Sequence, residues 1–214
     1  MPVLNYIRGA RRPIPMGKKV FNTMAVLILG IAWGVFSKFL DTVPSNELPF
    51  ILARLDIGNF LGRFAIWILI GVGISIYSNS PVRAAIHVFV FFAGMVSSYY
   101  LYSNFIVGFF PRSYAMIWFG LTAISPLLAF VCWYAKGESK PSFLLSAAII
   151  AVLFNTTFLY GRIYVEVRSI LELLVFICGV VLLKRSTWKE TILMVMLGIG
   201  IAVILEGILP FHFG

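Results

Sequence analysis

VFNTMAVLILGIAWGVFSKFL, Val20 to Leu40, is an apolar run carrying one charge, Lys38, close to its end. A helix needs about 20 consecutive mainly apolar residues to cross a bilayer core. Read as a spanning helix, the stretch places the protein in a membrane; read as the core of a secretory leader, it says nothing about the fold. The run is too long for a leader, and the following "SKFLD" lacks a small-residue cleavage pattern, so a retained helix is expected.

The rest of the chain reads the same way. Of its 214 residues, 61% are hydrophobic and 12% charged, and mean hydropathy is +0.99. Water-soluble domains of this size do not have that profile. In lipid only helices and closed barrels satisfy every backbone polar group, and the apolar runs here are continuous rather than alternating, which selects helices.

The expected fold is an all-α, polytopic transmembrane helix bundle of about seven spans. They run from about Val20 to Leu40, Phe60 to Ser78, Ala84 to Phe105, Tyr114 to Tyr134, Pro141 to Tyr160, Val167 to Leu183 and Thr191 to Leu209. Residues 1–19 form a basic cytoplasmic segment, and 20–214 a single transmembrane domain. The tight turn "SNSPVR" joins the second and third spans, "AKGESK" separates the fourth from the fifth, and Pro210 closes the last.

Basic residues near span ends are held on the cytoplasmic side. With the N-terminus inside, eleven of the 17 cations fall on inner segments: Arg8, Arg11, Arg12, Lys18, Lys19, Arg83, Lys136, Lys140, Lys184, Arg185 and Lys189. Six of the eight carboxylates fall in the outer half, so nearly all of the +9 net charge faces the cytoplasm and the C-terminus lies outside. The cations are spread over loop ends rather than gathered in a patch with interleaved aromatics, which points to anionic headgroups and away from nucleic acid.

The first outer loop carries an amphipathic pattern, Leu48, Ile51, Leu52 and Leu55, which predicts a short helix near 46–57 lying on the outer surface. Ser45 or Asn46 is its expected cap, with Pro49 in the first turn. It serves either as a lid over a cavity or as a helix resting on lipid or on the bundle.

Charge at membrane depth costs about 2.5–3.5 kcal/mol unless paired or wet, which singles out Arg63 and Glu206 and allows a cross-helix pair between them. "FNTTFLYGRIYVEVRSILE" puts Asn155, Thr156, Thr157, Arg162, Glu166, Arg168 and Glu172 at the same outer level. In "SSYYLY", Tyr99 and Tyr102 share a helix face with Met95 while Tyr100 points about 100° away, so at least one ring should face the interior. The expected binding residues are Arg63, Tyr99, Arg112, Arg162 and Glu206, with Asp56 on the loop; mixed charge suits a zwitterionic or anionic solute or a lipid headgroup. Gly30 and Gly34 have GxxxG spacing and permit close helix approach, within the bundle or to a partner membrane protein.

No motif points to catalysis. HExxH, GxSxG, GxGxxG and the Walker lysine loop are absent, and the loop acids do not have EF-hand spacing, so neither a metal nor a cofactor is expected. Cys132 and Cys178 fall inside spans as small buried residues. Two other classes stay open: a non-catalytic partner or scaffold subunit, and an enzyme of lipid or cell-wall intermediates with Glu206 as its acid or base.

The segments "LGIAWGVFSKFLD", "AIWILIGVGIS", "SPVRAA" and "SSYYLY" together resemble a family of bacterial multi-pass membrane proteins without an assigned activity, across Leu27 to Tyr102. That resemblance implies the cytoplasmic membrane of a bacterium. A looser similarity is to the substrate-capture subunits of energy-coupling-factor transporters, which implies a ligand bound from outside beneath a loop. The chain departs from them in its seventh apolar run and in lacking an alanine-spaced partner motif.

Overall fold

Each apolar run becomes a helix, and local chemistry sets its ends. The computed structural model describes residues 6–9, 14–44, 46–161 and 163–208. Among these lie nine helices: α1 (Met16–Thr42), α2 (Phe50–Arg54), α3 (Ile57–Gly62), α4 (Phe64–Tyr77), α5 (Pro81–Tyr102), α6 (Arg112–Trp133), α7 (Lys140–Thr157), α8 (Ile170–Leu183) and α9 (Trp188–Ile208). One antiparallel hairpin, β1 (Phe158–Tyr160) and β2 (Val165–Val167), joins α7 to α8. The fold is all-α in this sense, and it is that of a membrane protein.

Five stretches are long and apolar enough to cross a bilayer: Met16–Thr42, Pro81–Val107, Arg112–Lys136, Lys140–Thr157 and Trp188–Ile208. The other two apolar helices, α4 and α8, have 14 residues each. At 1.5 Å per residue each rises about 21 Å, short of the roughly 30 Å hydrocarbon layer.

Serines and prolines start the helices. Ser80 caps α5 by accepting from the Arg83 N–H, with Pro81 in the first turn, and Ser139 caps α7 through Ser142 in the same way. Gly108, at φ 76°, ends the π-turn Ser103–Val107 that extends α5. Pro126 sits within α6 and deprives the Thr122 carbonyl of its helical donor; the Ser125 hydroxyl donates to that oxygen at 2.8 Å.

Several boundaries differ from the sequence reading. The outer-loop helix expected over 46–57 is two short helices, α2 and α3, broken where Asp56 takes a left-handed φ of 50°. Pro49 is the residue flanking α2 rather than part of its first turn, and it supplies no side-chain cap. Phe158–Tyr160, assigned to the end of the fifth span, is a strand instead, because its backbone pairs with Val165–Val167. Ser45, Arg11, Arg12, Arg162 and Pro210 lie outside the described residues.

The chain forms two compact units. One comprises the described parts of Met1–Gly9, Arg63–Ile76 and Cys132–Gly214. Its core is Val72, Ile76, Ala135, Ala147, Ile150, Leu183 and Met194. The other comprises the described parts of Ala10–Gly62 and Tyr77–Val131, and its central feature is the seam between α1 and α5. A Cβ on Gly30 would stand 2.2 Å from the Phe91 carbonyl oxygen, and one on Gly34 2.1 Å from that of Met95. Both positions therefore require glycine, and the GxxxG face is filled by the chain's own α5. Ser98 closes the seam, its hydroxyl 3.1 Å from the Ile31 carbonyl oxygen.

Candidate functional site

The first unit carries its polar cluster where two short helices begin. Ser169 is the N-cap of α8, its hydroxyl accepting from Leu171 and Glu172 N–H, and Glu172 stands three residues on, as in a capping box. The Ser169 hydroxyl also donates to Glu172 Oε2. Glu172 Oε1 takes the Arg63 guanidinium at 2.7 Å. The carboxylate is completely buried, whereas the Arg63 side chain is 34% exposed. Arg63 sits at the break between α3 and α4, so the guanidinium hangs beside the first turn of a helix.

This corrects the expected cross-helix pair: the carboxylate facing Arg63 is Glu172, not Glu206. The reason is local. The capping box fixes Glu172 in the first turn of α8, and a buried carboxylate there must find a cation or lose its charge. The sequence carried the signal in "SILE", Ser169 to Glu172, which is a capping-box spacing at the start of an apolar run.

Glu206 is half-buried toward the end of α9 and belongs to a second group in the same unit. Tyr160 donates to Asn155 Oδ1 at 2.9 Å, and Asn155 Nδ2 donates to the Ala202 carbonyl at 3.2 Å, tying α7 to α9. Burial first, and then the Glu206 carboxylate nearby, raise the Tyr160 phenol above its ordinary pKa. Both groups hang from the last turn of α7, because Thr157 donates to the Glu172 backbone carbonyl at 3.1 Å.

The other unit has its own cluster, in which the expected Tyr99 meets Lys38 and Asp41, a pair that sequence reasoning had not assigned to a site. Lys38 Nζ lies 2.7 Å from Asp41 Oδ2 within the last turn of α1. Tyr99 of α5 donates its hydroxyl to the same oxygen at 2.9 Å, and Lys38 Nζ stands 5.0 Å from the Tyr99 ring. Spacing i, i+3 made the Lys38–Asp41 pair readable, but only the α1–α5 contact brings Tyr99 to it. The ring that turns fully inward is Tyr100, 5% exposed and packed against Phe110 and Phe119.

Tyr99→Phe is expected to cost about 1 kcal/mol, the value of one partly exposed bond to a charged acceptor, in unfolding titrations of micelle-solubilised protein. A change of a few tenths would mean that water replaces the hydroxyl at no loss.

Asp56 and Arg112, also in this unit, are exposed. Asp56 accepts from Asn59 Nδ2 at 3.0 Å and, with Asp41, lines a hollow of about 130 Å³ between the end of α1 and α2–α3. Of the expected residues, Arg63 and Glu206 fall in one unit, Tyr99, Asp56 and Arg112 in the other, and Arg162 outside the described residues. No protein-family model, curated protein or solved structure matches the chain.

Proposed function

We propose that the chain crosses the cytoplasmic membrane of a bacterium seven times, with its N-terminus inside, and binds an anionic or zwitterionic small solute or lipid headgroup in an outward-facing recess at Arg63. Its role is transport-related and non-catalytic. One observation carries this reading: Arg63 and Glu172 pair where α4 and α8 begin, and those helices have only 14 residues each. If their inner ends reach the inner interface, the pair lies about 9 Å below the outer rim of the hydrocarbon layer. A guanidinium at that depth that keeps a third of its surface open needs water or a ligand beside it. A helix broken within an apolar segment, as between α3 and α4, is a recurrent way to build such a site.

The recess is tested by thiol accessibility from the outer face. In a background lacking Cys132 and Cys178, Arg63→Cys is expected to react with a membrane-impermeant maleimide added outside. Gly62→Cys serves as the second probe, because a Cβ there meets nothing within 4 Å and the Arg63–Glu172 pair is kept. Protection of both positions, or labelling only from inside, would remove the recess. A scaffold role is the second reading, favoured because Arg63 and Ser169 already satisfy both carboxylate oxygens of Glu172. Under it both cysteines stay unreactive while the protein remains folded.

A further inference from the structure

The inner end of the first unit holds a groove of about 470 Å³ between the turn that follows α6 and the loop joining α8 to α9. Four cations line it, Lys136, Lys140, Lys184 and Arg185, against two carboxylates, Glu138 and Glu190. Two of the cations are fixed in its wall. Lys136 Nζ donates to the Leu182 and Lys184 carbonyls at 2.7 and 3.2 Å, at the end of α8. Arg185 donates to the Gly137 carbonyl at 2.6 Å, with its guanidinium 5.4 Å from the Phe143 ring centre.

Lys140 and Lys184 are exposed. Both ion pairs found among the described residues lie elsewhere, at Lys38–Asp41 and Arg63–Glu172. The groove thus keeps a surplus of positive charge that its own carboxylates do not neutralise. Burial lowers the Arg185 pKa, with Glu190 and Glu138 opposing, so the wall gains from an incoming anion.

The occupant follows from depth and chemistry. Trp188, 76% exposed at the first turn of α9, is the amphipathic ring that settles at headgroup level. Phe143 gives the groove one apolar wall. A cationic hollow at the level of the headgroups, beside exposed apolar helix faces, meets lipid phosphates first.

We propose that this groove is a binding site for the phosphate of an anionic phospholipid, with Lys140 and Lys184 as its mobile arms and Lys136 and Arg185 as its fixed wall. The site is independent of the outer recess at Arg63.

The full-length protein in neutral detergent is titrated with phosphatidylglycerol, with phosphatidylcholine and with inorganic phosphate, reading bound lipid by native mass spectrometry and the melting temperature in parallel. Phosphatidylglycerol is expected to bind and raise the melting temperature, and phosphatidylcholine and inorganic phosphate to do neither. Lys140→Ala/Lys184→Ala should weaken phosphatidylglycerol binding roughly 30-fold, from about 1 kcal/mol for each cation. Neither side chain holds another element in place, so the double variant should fold. Lys18→Ala/Lys19→Ala removes the same charge from α1 and should leave binding within about twofold of the parent. Equal loss in the two double variants would reduce the effect to overall charge and overturn the site. An unchanged affinity in Lys140→Ala/Lys184→Ala would also overturn it, as would inorganic phosphate reproducing the full shift with no added effect of lipid.

Discussion

Glu172→Gln is expected to lower the stability of the folded protein by about 2–3 kcal/mol, measured by equilibrium unfolding in mixed micelles. The substitution keeps the shape of the side chain and removes the charge that Arg63 faces at 2.7 Å. Breaking a fully buried pair costs about 3–5 kcal/mol, because the remaining charge is stranded. The cost here is smaller because Arg63 is a third exposed and recovers some hydration. Arg63→Met should cost at least as much, since it strands the member with no solvent contact. The double variant Arg63→Met/Glu172→Leu should recover most of the loss, because apolar replacements of similar volume restore packing without the desolvation cost. Single variants within about 0.5 kcal/mol of the parent, or a double variant whose cost is the sum of the two, would show that the pair is not coupled.

The second large effect belongs to the α1–α5 seam. Gly34→Ala should cost about 2–3 kcal/mol, near the upper end for overpacking, and Gly34→Leu should abolish recovery of monodisperse protein. The argument rests on what the new atom meets. A Cβ at residue 34 would lie 2.1 Å from the Met95 carbonyl oxygen and 2.2 Å from Ser98 Oγ. The first is backbone, so relief requires α5 itself to move. Gly30→Ala faces the Phe91 carbonyl in the same way, at 2.2 Å. Gly94→Ala should be milder, since its nearest contacts, Leu27 Cδ1 and the Leu27 carbonyl oxygen, are at 3.0 Å. Gly73→Ala and Gly200→Ala meet nothing within 4 Å and should be neutral or slightly stabilising, as helix propensity favours alanine by about 1 kcal/mol. A uniform response across these glycines would separate the effect from close helix approach.

The two effects differ in how far they could be read beforehand. Gly30 and Gly34 are visible as small residues one helical turn apart, and the sequence left open whether they meet the chain or a partner. Phe91 and Met95 stand with the same spacing on α5, but Phe-xxx-Met has no special meaning until two backbones touch. Arg63 was legible as a cation within an apolar run, and its carboxylate was not. Charge alone favoured Glu206, which has apolar neighbours on both sides, whereas Glu172 looked like one polar residue in a polar stretch. Its complete burial comes from Ser169, Thr157 and Arg63 closing around the first turn of α8. The hairpin Phe158–Val167 was missed for a related reason: its residues suit a strand and a membrane helix about equally, and pairing decided between them.

By itself the sequence determined the membrane class, the predominantly helical state and the approximate positions of the apolar helices. These depend on composition and on runs of about 20 residues, which lipid reads one segment at a time. Only the tertiary structure decided which charges meet, which glycines touch a neighbouring backbone, and that loops far apart in the chain form a basic groove from Lys136 to Glu190. Those outcomes depend on contacts between residues tens of positions apart, and a contact of that kind leaves no periodicity in either segment alone.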